Sequence, residues 1–83
     1  MMITLKLFAT LGDYLPPGSR FNQVELALPD GITVADAIEP LGLPARLVHL
    51  VLVNGVYLAP PERVVRRLAG GDTLAIWPPI AGG

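Results

Sequence analysis

Apolar and polar residues alternate along two N-terminal segments, residues 2–9 and residues 23–28. Successive side chains of a β-strand point to opposite faces of a sheet, so this alternation predicts two strands, each with one apolar face. The apolar faces contain Ile3, Leu5, Leu7 and Ala9 in the first strand and Val24, Leu26 and Leu28 in the second. Residues 12–20 include two prolines and two glycines, which predicts a long loop joining the strands as an antiparallel pair.

A helical pattern follows the second strand. Apolar residues recur at i, i+3, i+4 and i+7, the spacing of one helix stripe: they are Val34, Ala37, Ile38 and Leu41. Thr33 is the predicted N-cap, because its hydroxyl can accept a hydrogen bond from the backbone N–H of Asp36. Pro40 has no backbone N–H, so we expect the helix to end or kink near Glu39. Residues 44–47 are compatible with a further helical turn.

Glycine and proline pairs divide the C-terminal half into short elements. Residues 48–53 are apolar on both faces apart from one histidine, which is typical of a central strand. Asn54-Gly55 is a strong signal for a two-residue hairpin turn, so residues 56–58 are predicted to return as a short strand. Residues 62–68 are ambiguous and compatible with a helical turn. Residues 73–77 form the last predicted strand.

The order of elements is strand, strand, helix, strand, short strand, strand. A single helix must bury its apolar stripe against one face of a sheet, because it has no second helix to pack on. The sequence therefore predicts an α+β fold, the β-grasp architecture of ubiquitin, with a mixed four- to five-stranded sheet packed on one main helix. At 83 residues the chain is one domain, 1–83, in which residues 78–83 form an extended, flexible tail.

Composition narrows the class of partner. The formal net charge is −1, so neither nucleic acid nor an anionic membrane is the expected partner. Charged residues make up 16% of the chain against a usual value of about 25%, so we expect exposed apolar surface that binds another protein. The chain has no apolar run long enough to span a membrane and no signal-peptide pattern at its N-terminus, which predicts a cytoplasmic protein.

The residues that usually carry catalysis are scarce. The chain has no cysteine, which excludes disulfides and thiolate chemistry, and a single histidine, His49, which is expected to be a half-exposed sheet residue. Asp36 and Glu39 are interpreted as a helix-cap acid and a solvated acid, and Asp72 as a turn residue. No metal site is predicted. The sequence therefore favours a carrier or a substrate of another enzyme over an enzyme.

The C-terminus is the most informative segment. Pro78 and Pro79 stop the last strand and stiffen the start of the tail, and Gly82-Gly83 ends it without side chains. Such an arm can enter a narrow channel in another protein. Its terminal carboxylate can attack the α-phosphate of ATP, and the resulting acyl adenylate can accept sulfur to become a thiocarboxylate. The alternative is a frayed chain end without function.

Several motifs, in order and with similar spacing, resemble the MoaD/ThiS family of ubiquitin-like sulfur carriers over essentially the whole chain. The tail is similar to the FPPVAGG-type ending of the small subunit of molybdopterin synthase. The other motifs are Lys6-Leu7-Phe8-Ala9-Thr10-Leu11, Thr33-Val34-Ala35-Asp36, Leu52-Val53-Asn54-Gly55 and Gly71-Asp72-Thr73-Leu74. Two positions depart from the family pattern: Pro40 interrupts a helix that normally runs further, and Trp77 stands where phenylalanine is usual.

The resemblance implies that Gly83 is adenylated and then thiocarboxylated. The implied partners are a ubiquitin-activating-type adenylyltransferase, which uses ATP, and the large subunit of molybdopterin synthase in a heterotetramer. Gly82 would fit both partners' channels, together with the rest of the tail, which is Pro78, Pro79, Ile80 and Ala81. The chain itself would be a non-catalytic carrier subunit that binds no cofactor. The alternatives are a carrier for thiamine or another sulfur-containing product, and a ubiquitin-like interaction or modifier module.

A docking surface is predicted beside the tail. If the apolar faces of the first and last strands cover the helix, Phe8, Ala75 and Trp77 face away from it and form an aromatic patch. We interpret this patch as the anchor for the partner; the alternative is that a loop covers it or that Trp77 belongs to the core. Arg63, Arg66 and Arg67 form a basic cluster that either is a solvated face or meets acidic residues of the activating enzyme.

Overall fold

The computed structural model describes residues 1–79. The strands are β1 (Met2–Leu7), β2 (Gln23–Ala27), β3 (Leu50–Val53), β4 (Val56–Tyr57) and β5 (Thr73–Trp77), and the α-helices are α1 (Val34–Ile38) and α2 (Pro60–Arg63). Three 3₁₀ segments lie between them, at Ala9–Tyr14, Glu39–Leu41 and Ala45–Leu47.

The five strands form one mixed sheet in the order β2-β1-β5-β3-β4. Strand β5 is central and runs parallel to β1, whereas all other neighbours are antiparallel. The parallel pair is made of the first and last strands, and α1 lies in the connection between β2 and β3. This is the ubiquitin-like β-grasp arrangement, and it confirms the predicted fold class.

The core lies on one face of the sheet. Leu5 of β1 is opposite Leu74 of β5, and Leu7 is opposite Ile76, so these side chains form paired rows that α1 covers with Val34 and Ala37. Burying each large apolar side chain stabilises the fold by about 1.5–3 kcal/mol relative to leaving it in water. The fully buried large side chains are Ile3, Leu5, Leu7, Leu11, Val34, Val51, Val53, Leu74 and Ile76.

Helix α1 begins and ends for the predicted reasons. The Thr33 hydroxyl accepts a hydrogen bond from the Asp36 N–H at 3.2 Å, which confirms the N-cap. The α-helical segment stops at Ile38, and the chain tightens into a 3₁₀ turn in which Pro40 needs no donor. Gly42 then ends the turn with a φ of 72°, a conformation that glycine adopts without steric cost.

Two predicted strand boundaries are wrong by two residues, and the predicted ends of β2 and β4 are each one residue too late. Ala9 was expected on the core face of the first strand, but β1 ends at Leu7 and Ala9 is exposed with a φ of 52°. The chain turns there into a 3₁₀ segment that brings Leu11 into the core, where it is fully buried. The third strand begins at Leu50 and not at Val48, because the Val48 N–H closes the preceding 3₁₀ turn.

The second helix resolves the ambiguous segment after β4. Pro60 and Pro61 do not only stop the preceding strand; they occupy the first turn of α2, where missing N–H groups cost nothing. The Glu62 carboxylate accepts a hydrogen bond from the Ala59 N–H at 2.8 Å and so fixes the helix start. Among residues 1–79, no helix has the length and apolar character that crossing a membrane requires.

Candidate functional site

The first two tail residues, Pro78 and Pro79, follow the central strand of the sheet. This strand is β5, whose last residues are held on both sides by backbone hydrogen bonds. The Phe8 N–H donates to the Ile76 carbonyl at 3.1 Å, and the His49 N–H donates to the Trp77 carbonyl at 3.1 Å. Because residues just beyond the ends of β1 and β3 hold Ile76 and Trp77 in this way, the sheet sets where Pro78 begins.

Two prolines follow the last strand residue. Pro78 is buried and Pro79 is exposed, so the chain passes from the protein surface into solvent between them. Neither proline has an N–H, which ends the hydrogen-bonded ladder without leaving an unpaired donor. The remaining predicted tail residues, Ile80, Ala81, Gly82 and the candidate reactive residue Gly83, lie outside the described residues.

Phe8 and Trp77 stack against each other beside this exit. Their ring centroids are 4.0 Å apart and the ring planes differ by 3°. Both side chains are half-buried and lie on the face of the sheet opposite the helix, together with Ala75, which is 8% exposed. The three predicted docking residues therefore share one face, and Trp77 is not part of the core. Their role in docking stays a prediction.

Three residues that the sequence analysis did not select extend this surface. Leu50 is opposite Trp77 across the β3–β5 pair, and Leu52 is opposite Ala75. Tyr57 of β4 continues the second row beyond Leu52. Leu50 is 40% exposed and Tyr57 is 50% exposed, so the surface reaches solvent. We call it the open face, defined by Phe8, Leu50, Leu52, Tyr57, Ala75 and Trp77.

A signal for these residues exists in the sequence, but it is incomplete. Alternation places Leu50 and Leu52 on the face opposite Val51 and Val53. It does not say which of the two faces covers the helix, because the segment is apolar on both. The register of β3 against β5 decides this, and register depends on residues distant in sequence.

Arg63 of the predicted basic cluster points back to the protein's own backbone. Its Nε donates to the Leu58 carbonyl at 3.1 Å, and one of its terminal nitrogens donates to the His49 carbonyl at 3.3 Å. The guanidinium thus links the end of α2 to the segments that flank β3 and β4. Two N–H donors of Arg63 are therefore already hydrogen-bonded within the chain in the absence of a partner.

Arg66 and Arg67 are also engaged. Arg66 donates to the Arg67 carbonyl and lies 4.0 Å from a carboxylate oxygen of Asp72. Arg67 donates to the Gly31 carbonyl at 2.6 Å, which ties the loop after α2 to the loop before α1. The three arginines are neighbours in the sequence, and each uses at least one donor for a hydrogen bond within the chain. Their electrostatic docking role remains a prediction.

A polar network holds the start of β5. The Asp72 carboxylate accepts hydrogen bonds from the Ala69 N–H at 2.8 Å and from the Asn54 amide at 2.9 Å, and the Asn54 carbonyl oxygen accepts from the Thr73 N–H at 2.9 Å. The Ala69 N–H above all, then the Asn54 amide, hold the pKa of Asp72 below its usual value, with a smaller contribution from Arg66. The network fastens the β3–β4 turn to the loop before β5.

Within the part of the chain that the structure describes, no three acidic, histidine or cysteine side chains gather where they could hold a metal ion. What the described residues offer is an apolar face next to the segment that leads into the tail, Pro78-Pro79. This arrangement is suited to presenting the end of the chain to another protein.

Comparison with known proteins gives one family match. The model of the family described as Mut7-C ubiquitin matches residues 1–81. The chain is similar to SAMP1 from Haloferax volcanii, small archaeal modifier protein 1, at 28% identity over 100% of both chains, with a TM-score of 0.70. It is also similar to the Haloferax volcanii HVO 2177 protein, at 28% identity over 100% of this chain and 87% of that one, with a TM-score of 0.76.

A third solved structure, a putative molybdopterin converting factor, subunit 1, from Pyrococcus furiosus, is 22% identical over 95% of this chain and 98% of that one, with a TM-score of 0.65. At this identity the likeness concerns the fold. No curated protein sequence matches the chain.

Proposed function

The chain belongs to the Mut7-C ubiquitin family, and on that premise we propose that it is a ubiquitin-like sulfur carrier whose C-terminal Gly83 is activated and then carries sulfur. The observation that supports this most directly is the tail exit. Pro78 and Pro79, which precede Gly82-Gly83 in the sequence, follow the central strand next to a half-buried aromatic stack. The β-grasp fold, shared with molybdopterin converting factor subunit 1 and SAMP1, is compatible with this role.

The proposed chemistry takes place on the terminal carboxylate. One carboxylate oxygen of Gly83 attacks the α-phosphorus of ATP, and pyrophosphate leaves with the electron pair of the broken P–O bond. A hydrosulfide ion, the class of sulfur donor proposed, then attacks the acyl carbon, a C–S bond forms, the sulfur loses its proton, and AMP leaves as the C–O bond of the mixed anhydride breaks. The product is a thiocarboxylate. ATP belongs to the activating partner, a ubiquitin-activating-type adenylyltransferase, and the chain holds no cofactor of its own.

The chain's own residues supply docking and direction. We assign the aromatic anchor of the docking surface to Phe8 and Trp77, with Ala75 leaving room for a partner side chain between them and β3. Pro78 and Pro79 direct the tail outward, and Gly82 lets the last residues pass through a narrow channel. Two flat rings already stacked in the free protein lose little conformational freedom on binding, which favours affinity.

We also propose the pathway in which the carrier acts. The tail's resemblance to the small subunit of molybdopterin synthase supports molybdopterin as the product, with the large synthase subunit as second partner in a heterotetramer. We expect this role in the cytoplasm. A carrier for thiamine or another sulfur-containing product uses the same activation chemistry and differs only in the second partner.

A protein modifier is the second candidate, and one observation favours it. SAMP1, described as a small archaeal modifier protein, aligns with this chain over its whole length at 28% identity. A modifier would transfer the activated Gly83 carbonyl to an amine of a target protein, where a C–N bond replaces the bond to AMP or to sulfur.

Intact-protein mass spectrometry tests the proposal. The chain is incubated with an adenylyltransferase of the ubiquitin-activating type from the same genome, ATP and a sulfur donor. We expect a mass gain equal to the replacement of one oxygen by sulfur, which is lost when Gly83 is deleted while the melting temperature stays unchanged. Conjugates joined through Gly83 would favour the modifier. An unchanged mass, with an enzyme proven active on its own carrier, would refute both.

A further inference from the structure

Lys6 lies within the surface that docking would cover. In β1 it is opposite Gln23 of β2 on one side and Ala75 of β5 on the other, so its side chain is on the open-face side of the sheet. Phe8 lies two residues further along the chain, just past the end of β1, on the same side of the sheet. It stacks on Trp77. Lys6 is half-buried, and it is the one lysine of the sequence.

The ammonium group of Lys6 has no partner within residues 1–79. Among the described residues, no carboxylate oxygen lies within ion-pair distance of it, and no hydrogen bond from it to these residues is found. The acidic residue on the same side is Glu25, which is opposite Thr4, one row away from Lys6. Arg63 and Arg67, by contrast, already donate to backbone carbonyls. Lys6 is thus a cation beside the open face that the described residues leave unpaired.

Docking changes the surroundings of this charge. A partner that covers Phe8, Ala75 and Trp77 also removes water from the neighbouring Lys6. An ammonium that loses water without gaining an anion costs much more free energy than a hydrogen-bonded pair, so an apolar partner surface alone is penalised here. A carboxylate at the matching position recovers this cost and also steers the approach of the two proteins.

From this geometry we infer that the partner of the open face carries a carboxylate that pairs with Lys6, next to the apolar pocket that receives Phe8 and Trp77. The inference rests on the proposed function in that it takes the activating enzyme as the partner. It assigns the electrostatic contact with the activating enzyme to Lys6 on the open face and not to the basic cluster of arginines. It also makes Lys6 a specificity determinant, because a partner without the carboxylate leaves the lysine buried and unpaired.

Binding measurements on charge variants test this inference. Lys6→Met keeps an aliphatic side chain of similar length and removes the charge, whereas Lys6→Glu reverses it. Arg46→Glu is the matched control, because Arg46 is exposed in the Ala45–Leu47 turn and its side chain makes no hydrogen bond or ion pair with the described residues. Calorimetry gives the dissociation constant for the activating enzyme without ATP, at low and high salt, and thermal melts confirm that each variant is folded.

We expect Lys6→Glu to weaken binding by about thirtyfold and Lys6→Met by about fivefold, the range between an exposed and a desolvated ion pair. Arg46→Glu should change binding less than about twofold, and Lys6→Met should reduce the salt dependence. Equal effects of Lys6→Glu and Arg46→Glu, or none of either, would overturn the inference.

The same samples separate this inference from the proposed function. Wild-type adenylation with binding that ignores Lys6 overturns the carboxylate contact and leaves the carrier function standing. Binding that depends on Lys6 without any adenylation supports the contact and overturns the carrier function. Absence of wild-type binding overturns both.

Discussion

Strand β5 starts and finishes in chemically opposite surroundings. At its start, Thr73 and Asp72 belong to a network in which side-chain and backbone polar groups bond each other within the chain. At its finish, Trp77 stacks on Phe8, and the surrounding side chains are apolar and partly exposed. Backbone hydrogen bonds hold both ends, so the difference lies in the side chains.

This difference indicates that one end of β5 contributes mainly to stability and the other mainly to binding. A polar group that is satisfied inside the chain contributes to folding and has little left to offer a partner. An apolar side chain that remains exposed contributes less to folding and gains free energy when a partner removes it from water. The start of β5 is therefore expected to fix the strand, and its end to bind the enzyme that acts on the tail.

Replacing Trp77 with alanine should have the largest effect. The loss of a central aromatic anchor is expected to weaken binding to the activating enzyme by at least about 2 kcal/mol, roughly thirtyfold. The free energy of unfolding should fall by only about 1 kcal/mol, the value of a stacked aromatic pair. Titration calorimetry and urea denaturation measure the two quantities. Trp77→Phe, which keeps a ring over Phe8, is the control and should retain most of the affinity.

Replacing Asp72 with alanine should invert this result. The Ala69 N–H and the Asn54 amide lose their acceptor, so we expect the free energy of unfolding to fall by about 2 kcal/mol. Affinity for the activating enzyme should stay within about twofold, since the contact surface is at the other end of the strand. Asp13→Ala, at an exposed aspartate, is the control for charge removal. A large loss of affinity in folded Asp72→Ala protein would contradict the assignment of stability to the start of β5 and of binding to its end.

Variants of Asn54 separate the stability contributed by the polar network from that contributed by the hairpin turn. Its φ of 52° is left-handed, a conformation that glycine accepts freely and alanine does not. Asn54→Gly should cost about 1 kcal/mol of unfolding free energy for the lost hydrogen bonds, and Asn54→Ala about 1 kcal/mol more for backbone strain. Chemical denaturation of both variants measures the difference. Equal stabilities would mean that the turn imposes no strain on residue 54.

Acid should weaken the start of β5 before it affects the end. The folded state lowers the pKa of Asp72, so its carboxylate contributes stability that is fully present above the unfolded aspartate pKa of about 3.9. That contribution is lost as the pH falls below this value towards the lower folded pKa. Unfolding free energies measured across this range should decline less steeply for Asp72→Ala than for wild type. Parallel declines would show that other carboxylates dominate.

Local sequence signals were sufficient where neighbours in the chain decide the structure. The Thr33 cap bonds a residue three positions away, and the Asn54-Gly55 turn needs only two residues with positive φ, which both have. Strand β5 runs from Thr73 to Trp77, as predicted, since proline ends it. Ala9 was misplaced because alternation continued past the point where the chain leaves the sheet to bury Leu11.

The sequence by itself determined the five strands and α1, which side chains are apolar, and that Gly82-Gly83 follows two prolines. Only the tertiary structure decided that Leu50 lies opposite Trp77, that Lys6 borders the aromatic stack, and that Arg63 and Arg67 donate to the carbonyls of His49 and Gly31. The physical reason is that strand register and long-range pairing are selected by the summed burial of all five strands. No single segment carries that information.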